Sequence, residues 1–294
     1  MKSLKDCLKE AEKKKRAIGH FNVSDNYTLK AVFDAAKKLS DYAGWKIPII
    51  IGVSEGERDI LGTAIVSTTV HKLRTDFDYP IFINADHTHS LARVKEAVAA
   101  GFDAILFDAG RLPLKENIAA TQEVVRFAKL RDSKILIEGE LGYIGSASAV
   151  FDEIPKGAEI DVSTITKAED AKNFVRKTGV DLLAPAVGNV HGMFKNAPNP
   201  NLHIERVREI RRAVNTPLVL HGGSGIRNAD FIAAISHGVR IVHVSTELRR
   251  AWRDGLEKSF KKDKDEVAPY RLMSESIGQM QKIVEERLKL LNLV

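Results

Sequence analysis

The sequence predicts an α/β protein, a single (β/α)8 TIM barrel with an additional C-terminal helix. Three observations predict it. Eight short apolar runs are spaced along the chain, most intervals between them carry helical periodicity, and the unusual polar residues gather just past the ends of the runs.

The first sixteen residues, MKSLKDCLKEAEKKKR, read as an amphipathic helix with Leu4 and Leu8 on one side. The apolar runs follow at 17–23, 47–53, 81–85, 104–107, 134–137, 182–187, 217–220 and 240–244. Each is rich in Ile, Leu or Val and apolar almost throughout, as expected of strands covered on both faces. Among the intervals, Ser90 opens a helix that ends at Gly101. Thr166-Lys167-Ala168-Glu169 has the pattern of a capping box, and its helix stops at Gly179. A third helix runs from Asn228 to a glycine cap at Gly238. Right-handed crossovers joining eight such strands close them into a barrel. An open doubly wound sheet is the alternative, but no dinucleotide fingerprint follows the first run. The barrel is expected over about residues 17–262 and a helical extension over 263–294. That extension carries Ile277, Met280, Ile283, Val284, Leu288 and Leu291 on one side, to pack across the barrel or against another subunit. The connection 141–165 has no helical periodicity, and loops of that length are usually lids or binding loops.

Composition narrows the function. With 294 residues, 44% hydrophobic and 29% charged, the chain reads as one soluble folded domain. The lone Cys7 excludes an internal disulfide framework and fits a reducing compartment. No apolar run is long enough to span a bilayer, and the N-terminus lacks the apolar core of a signal peptide, so a cytoplasmic protein is expected. The net charge of +6 is spread over the helices without interleaved aromatics, which argues against nucleic-acid binding. A mild positive balance does suit a phosphorylated substrate.

The polar residues fall where barrel enzymes keep their chemistry, at the C-terminal ends of the strands. Asn22 ends the first run, and Asp86, His87 and His89 follow the third. Asp108 ends the fourth, Glu138 and Glu140 follow the fifth, and His191 lies beyond the sixth. His221 ends the seventh, with His243 and Ser245 at the eighth. A single histidine at a strand end is usually a hydrogen-bonded structural residue. Three on different strands of one barrel, His87, His191 and His221, with carboxylates nearby, suit zinc or another divalent metal. His71, His203 and His237 read as surface or capping residues, and His20, inside the first strand, as structural. His221-Gly222-Gly223-Ser224-Gly225 reads either as a tight turn or as a loop whose N–H groups approach an anion, with Ser245 and Thr246 adding hydroxyls. No strand carries a lysine toward its C-terminal end, which argues against a Schiff-base mechanism.

These residues resemble the class II, metal-dependent fructose/tagatose-bisphosphate aldolase family. The resemblance runs from Gly19-His20-Phe21-Asn22-Val23 to Ser245-Thr246-Glu247-Leu248. It includes Gly52-Val53-Ser54-Glu55-Gly56, Asp86-His87, Glu140-Leu141-Gly142, the stretch 177–186, Asn189-Val190-His191-Gly192 and the stretch 218–226. It implies zinc on His87, His191 and His221, with Glu140 in or next to the metal shell and Asp108 behind it. Asp86 would be the acid/base at the cleaved bond. Gly192, Gly222, Gly223 and Ser224 would hold a phosphate with help from a monovalent cation, Na+ or K+, and Asn22, Ser54, Ser245 and Thr246 would also face substrate. The sequence departs from the family in three places. The loop segment Gly145-Ser146-Ala147-Ser148-Ala149 lacks the acid that serves as base, leaving Asp152 or Glu153, with Glu153 as the expected residue. His243 replaces an asparagine that contacts the enediolate, and Ala109-Gly110 replaces a small residue followed by serine. The expected reaction is cleavage of fructose 1,6-bisphosphate to dihydroxyacetone phosphate and glyceraldehyde 3-phosphate, in a homodimer or homotetramer. The alternatives are tagatose bisphosphate, a different carbon–carbon or isomerisation step on another sugar phosphate, or a non-catalytic sugar-phosphate-binding protein.

Overall fold

The apolar runs become strands because their alternate side chains enter two different cores, one inside the barrel and one beneath the helices. The computed structural model describes residues 2–145, 149–151, 165–195 and 199–294. In chain order its elements begin with α1 (Leu4–Lys14), β1 (Ile18–Asn22), α2 (Asn26–Ala43), β2 (Ile49–Val53), α3 (Glu55–Leu61) and α4 (Thr63–Asp76). They continue with β3 (Ile81–Thr88), α5 (Leu91–Ala99), β4 (Ala104–Phe107), α6 (Leu114–Arg131), β5 (Leu136–Leu141) and β6 (Val150–Phe151). Then come α7 (Ala168–Thr178), β7 (Leu182–Pro185), β8 (Met193–Phe194), α8 (Ile204–Ala213), β9 (Leu218–Leu220), α9 (Asn228–Ser236), β10 (Val239–Val244), α10 (Thr246–Lys262) and α11 (Pro269–Asn292). Eight strands close in the order β1-β10-β9-β7-β5-β4-β3-β2, each pair parallel. The short β6 and β8 pair with each other outside the barrel.

Inside the barrel, the inward residues change character with height. The floor is Ile18, Ile50, Phe82, Ala104, Leu136, Leu182, Val219 and Ile241, which form one buried cluster with Leu4, Cys7, Leu8 and Ala11 of α1. Two residues further along six of these strands, the inward series becomes His20, Gly52, Asn84, Glu138, His221 and His243, while β4 and β7 stay apolar with Leu106 and Ala184. α1 thus plugs the N-terminal mouth, and the polar residues occupy the other. Its position is fixed by Glu12, whose carboxylate accepts from Arg240 Nε at 2.7 Å and from Arg211 Nη2 at 3.2 Å.

Two strands run further than their apolar runs. β3 continues through Asp86, His87 and Thr88 with an irregular register, and β5 continues through Glu138 and Glu140. Those residues therefore lie on strands rather than after them, because backbone pairing continues where hydrophobicity stops. The capping box expected at Thr166 does not form. The N-cap of α7 is Lys167, and the Thr166 hydroxyl donates to the Leu141 carbonyl at 2.5 Å, a buried acceptor that outcompetes the helix end. Ser90 does cap α5, and Gly101, Gly179 and Gly238 adopt positive φ past their helices. α11 buries Met280, Val284, Leu288 and Leu291 against its own chain, and its Leu291 carbonyl accepts from Ala17 N at 3.0 Å. That apolar side is therefore not free for another subunit. Among the described residues no helix is long and apolar enough to cross a membrane.

Candidate metal centre and active site

Four side chains meet at the polar mouth of the barrel. His87 from β3, Glu140 from β5, His191 from the loop before β8 and His221 just past β9 bring one ligand atom each to within 4.8 Å of the others. Carboxylates orient two of the rings. Asp108 Oδ2 lies 2.8 Å from His87 Nδ1, and Glu138 Oε1 lies 2.8 Å from His221 Nε2. Each carboxylate occupies one ring nitrogen and leaves the other to face the centre. There, His191 Nε2, His221 Nδ1 and Glu140 Oε2 are buried without a hydrogen-bond partner. A buried polar atom left unpaired costs about 1–3 kcal/mol. Three at one point fit a cation, and a set of three imidazoles and a carboxylate suits zinc or a similar divalent ion.

The electrostatics agree with a crowded, desolvated cluster. Burial lowers the pKa of His87, but Asp86, Asp108 and Glu140 outweigh it and raise the value to about 10. Burial would raise the Asp108 carboxyl, yet its contact with His87 holds it down at about 2. Glu140 is pushed up to about 8 by burial and by Asp108, against the attraction of His87 and His221. His191 is held well below the ordinary histidine range by burial and by the neighbouring rings. Gly110 makes room for this arrangement. A Cβ at that position would stand 2.8 Å from Glu140 Oε1, so the departure at Ala109-Gly110 frees space beside a candidate ligand.

Asp86 sits beside the cluster and is 4% exposed. Its Oδ2 accepts from Asn22 Nδ2 at 2.9 Å, and its Oδ1 lies 3.4 Å from His243 Nδ1 and 4.0 Å from His87 Nε2. Burial alone would raise its pKa, but His87, His243 and His20 keep it well below the usual carboxylate value. The group is a buried carboxylate held between Asn22 and the histidines of the mouth.

A small inner recess of about 20 Å³ joins Asp86, His87, His191 and His221 to Gly192, Gly222, Gly223, Ser224, Ser245 and Thr246. Gly222 has φ +61°, and a Cβ there would come within 2.2 Å of the Val190 carbonyl oxygen, so the turn admits only glycine. Ser224 Oγ accepts from Glu247 N at 3.2 Å, whereas the buried Ser245 hydroxyl, at the N-cap of α10, has no partner. A helix N-terminus, a glycine-rich turn and a hydroxyl without a partner are elements from which an anion site can be built. Ser54 lies outside this recess. Its Oγ accepts from Glu57 N at 3.4 Å as the N-cap of α3, and the residue lines an outer cavity of about 490 Å³ with Asp108, Arg111, Tyr143 and Arg249. Asp152 and Glu153, expected to supply the base, lie outside the described residues.

The family profile described as fructose-bisphosphate aldolase class-II matches residues 2–294. The chain belongs to that family. It is similar to the 6-phospho-5-dehydro-2-deoxy-D-gluconate aldolase of Bacillus licheniformis, at 31% identity over 98% of this chain and 93% of the relative. Among solved structures it is similar to the YdjI aldolase of Escherichia coli, with a TM-score of 0.79 and 29% identity, covering 99% of this chain and 97% of the other. The fold is also shared with the fructose-bisphosphate aldolase of Campylobacter jejuni, with a TM-score of 0.80 at 22% identity over 99% of this chain and 94% of that one. The chain is thus a class II, metal-dependent aldolase-type lyase acting on a sugar phosphate, and the cluster of His87, Glu140, His191 and His221 is its candidate metal centre.

Three residues of this aldolase site escaped the sequence reading. Glu138 was placed at the strand end without a role, yet it holds His221. His20 was read as structural without a partner, and its ring stacks on His243 at 3.4 Å between centroids and lies with Asp86 in one cluster. Glu57 fastens the rim, accepting from Asn22 Nδ2 at 3.2 Å, Ser24 Oγ at 2.9 Å and Arg249 Nη2 at 2.8 Å. The period of two would have found the first two, because Glu138 shares a face with Glu140 and His20 with Asn22. The Ser54-x-x-Glu57 capping box was the signal for the third.

Proposed function

We propose that the enzyme cleaves a ketose phosphate reversibly to dihydroxyacetone phosphate and an aldehyde, with fructose 1,6-bisphosphate as substrate and glyceraldehyde 3-phosphate as the aldehyde. The observation that carries this reading is Asp86, a buried carboxylate held by Asn22 beside the convergent imidazoles and lining the glycine-rich recess. A non-catalytic binder would have no use for such a carboxylate.

The cradle of Gly192, Gly222, Gly223, Ser224, Ser245 and Thr246 takes the phosphate next to the ketone, completed by a monovalent cation, Na+ or K+. A divalent ion, zinc by its donors, held by His87, His191 and His221 with Glu140 in or next to its shell, would polarise the ketose carbonyl and stabilise the enediolate. Asn22 aims Asp86 at the C4 hydroxyl. Asp86 accepts that proton, the C4 oxygen becomes the aldehyde oxygen, and the C3–C4 electron pair stays on C3. His243 stands beside Asp86 and lines the same recess. C3 then takes a proton from an acid that follows β6 in the chain, for which Glu153 is the assignment. Ser54 faces the far end of the substrate, and Asp108 keeps the His87 ring in place. We place the enzyme in the cytoplasm, supported by its single cysteine. We assign a homodimer or homotetramer, supported by the exposed Ile60 and Ile65 on adjoining helices.

A second reading follows from the Bacillus licheniformis relative. A 6-phospho-5-dehydro sugar acid also carries its ketone beside the phosphorylated carbon, but ends in a carboxylate. Arg111, 5.2 Å from the Tyr143 ring on the wall of the outer cavity, is a cation suited to that end. The test is release of dihydroxyacetone phosphate from fructose 1,6-bisphosphate, tagatose 1,6-bisphosphate and 6-phospho-5-dehydro-2-deoxygluconate, before and after chelation and zinc add-back. Chelator-sensitive release from the first supports the primary reading. Release only from the last replaces it with the second. Undiminished turnover in Asp86→Ala would remove Asp86 from the mechanism.

A further inference from the structure

His20 and His243 sit side by side on neighbouring parallel strands, paired in register. Their rings are stacked, with centroids 3.4 Å apart and planes 9° from parallel. Both are fully or almost fully buried, at 0% and 4% exposure, and neither ring nitrogen of either residue has a hydrogen-bond partner. With Asp86 they form a cluster of the composition a metal site needs, but the stacking argues against one. A lone pair on imidazole nitrogen lies in the ring plane, and an ion shared between two parallel rings would sit well out of both planes. The stack therefore has another use.

Its geometry shows which. The His20 ring occupies the space over Gly52, where a Cβ would meet His20 Cε1 at 2.0 Å and Nε2 at 2.5 Å. The His243 ring lies on its other side. The terminal torsion of histidine is soft, and the His221 ring, which touches His243 at 3.8 Å but is tilted by 36°, does not fix its plane, so without His20 the imidazole at 243 would rotate. Pressed against a ring that is itself seated over Gly52, it cannot. His243 then keeps Nδ1 3.4 Å from Oδ1 of Asp86, an electrostatic contact rather than a hydrogen bond, while Asn22 donates to Oδ2. We propose that His20 is a positioning residue: seated over Gly52, it fixes the ring plane of His243 and thereby completes the grip on the catalytic carboxylate. The inference rests on the aldolase reading with Asp86 as the base. What His20 contributes is its flat ring, and its nitrogens are dispensable.

The test uses the zinc-loaded enzyme and three variants, His20→Ala, His20→Phe and Gly52→Ala, with the double variant His20→Ala/Gly52→Ala. Two reactions are followed. One is cleavage of the ketose phosphate, which needs Asp86. The other is exchange of the C3 proton of dihydroxyacetone phosphate with D2O, which needs the loop acid instead. His20→Ala should lower kcat for cleavage by about ten- to a hundredfold, the scale of a misplaced catalytic group, with KM changed less than threefold and exchange reduced far less than cleavage. Zinc content should stay at the wild-type level. His20→Phe should recover most of the lost kcat. Gly52→Ala should reproduce the His20→Ala defect, and the double variant should be no worse than His20→Ala alone, because the clash needs both partners. Equal loss of cleavage and exchange, loss of zinc in His20→Ala, or additive defects in the double variant would each overturn the proposal. If His20→Phe does not fold, the cycle between residues 20 and 52 decides it. Wild-type enzyme that performs neither reaction would instead remove the aldolase reading beneath it.

Discussion

Glu138 and His221 are both completely buried, and their Oε1 and Nε2 atoms are 2.8 Å apart. The contact raises the His221 pKa against the effect of burial and leaves Nδ1 as the atom that faces the metal centre. Glu138→Gln keeps the shape but removes the charge behind the ring. Metal affinity should fall by about 10–100-fold, the usual cost of losing a partner that orients a ligand. Competition with a zinc chelator measures it, and unchanged affinity would reduce Glu138 to a bystander.

Gly222 should tolerate no side chain. Gly222→Ala forces a Cβ toward the Val190 carbonyl in a left-handed conformation, next to the loop that carries His191. KM for the phosphorylated substrate should rise at least tenfold. A kinetic profile matching the parent would show that this turn is not the phosphate cradle.

The plug at the barrel floor depends on one carboxylate. Glu12→Ala leaves the nearly buried Arg240 without its Nε acceptor and frees α1 from Arg211. Chemical denaturation should show a loss of about 2 kcal/mol, in the range for stranding a buried charged group. Turnover at low temperature should be preserved, since the plug lies at the opposite mouth from Asp86.

Stability should fall in mild alkali through Cys7. Burial raises its thiol from an ordinary value of 9.0 to about 11. Below pH 9 the thiol is neutral whether the chain is folded or not, and it contributes no pH dependence. Between pH 9 and 11 the unfolded chain gives up the proton while the folded chain keeps it, so unfolding is favoured as pH rises. Melting curves across that interval should slope downward, and Cys7→Ala should flatten part of the slope. A slope identical in the variant would assign the effect to other groups, such as the buried Tyr79.

Hydrophobic periodicity made the barrel legible, because strands buried on both faces write themselves as continuous apolar runs. It failed where a strand kept pairing after its side chains turned polar, as at Asp86-His87-Thr88 and at Glu138-Gly139-Glu140. The period of two places Glu138 and His20 on the inward face, but not their partners: they bear on His221 and His243, and contacts between strands distant in sequence leave no spacing to read. Thr166 misled for a different reason: its hydroxyl had a choice between a helix end and a buried carbonyl, and only the tertiary fold decides that choice. The convergence of His87, His191 and His221 was legible because barrel strands all end at one mouth.

Most barrel strands carry oil at the foot and turn polar toward the head, two residues further along the same inward face. Inheritance can therefore act on the two halves separately. A lineage that exchanges Asn for His at position 243, or serine for glycine at 110, alters what the mouth accepts while the floor that closes the barrel stays as it was. A family built this way can change diet without learning again how to fold.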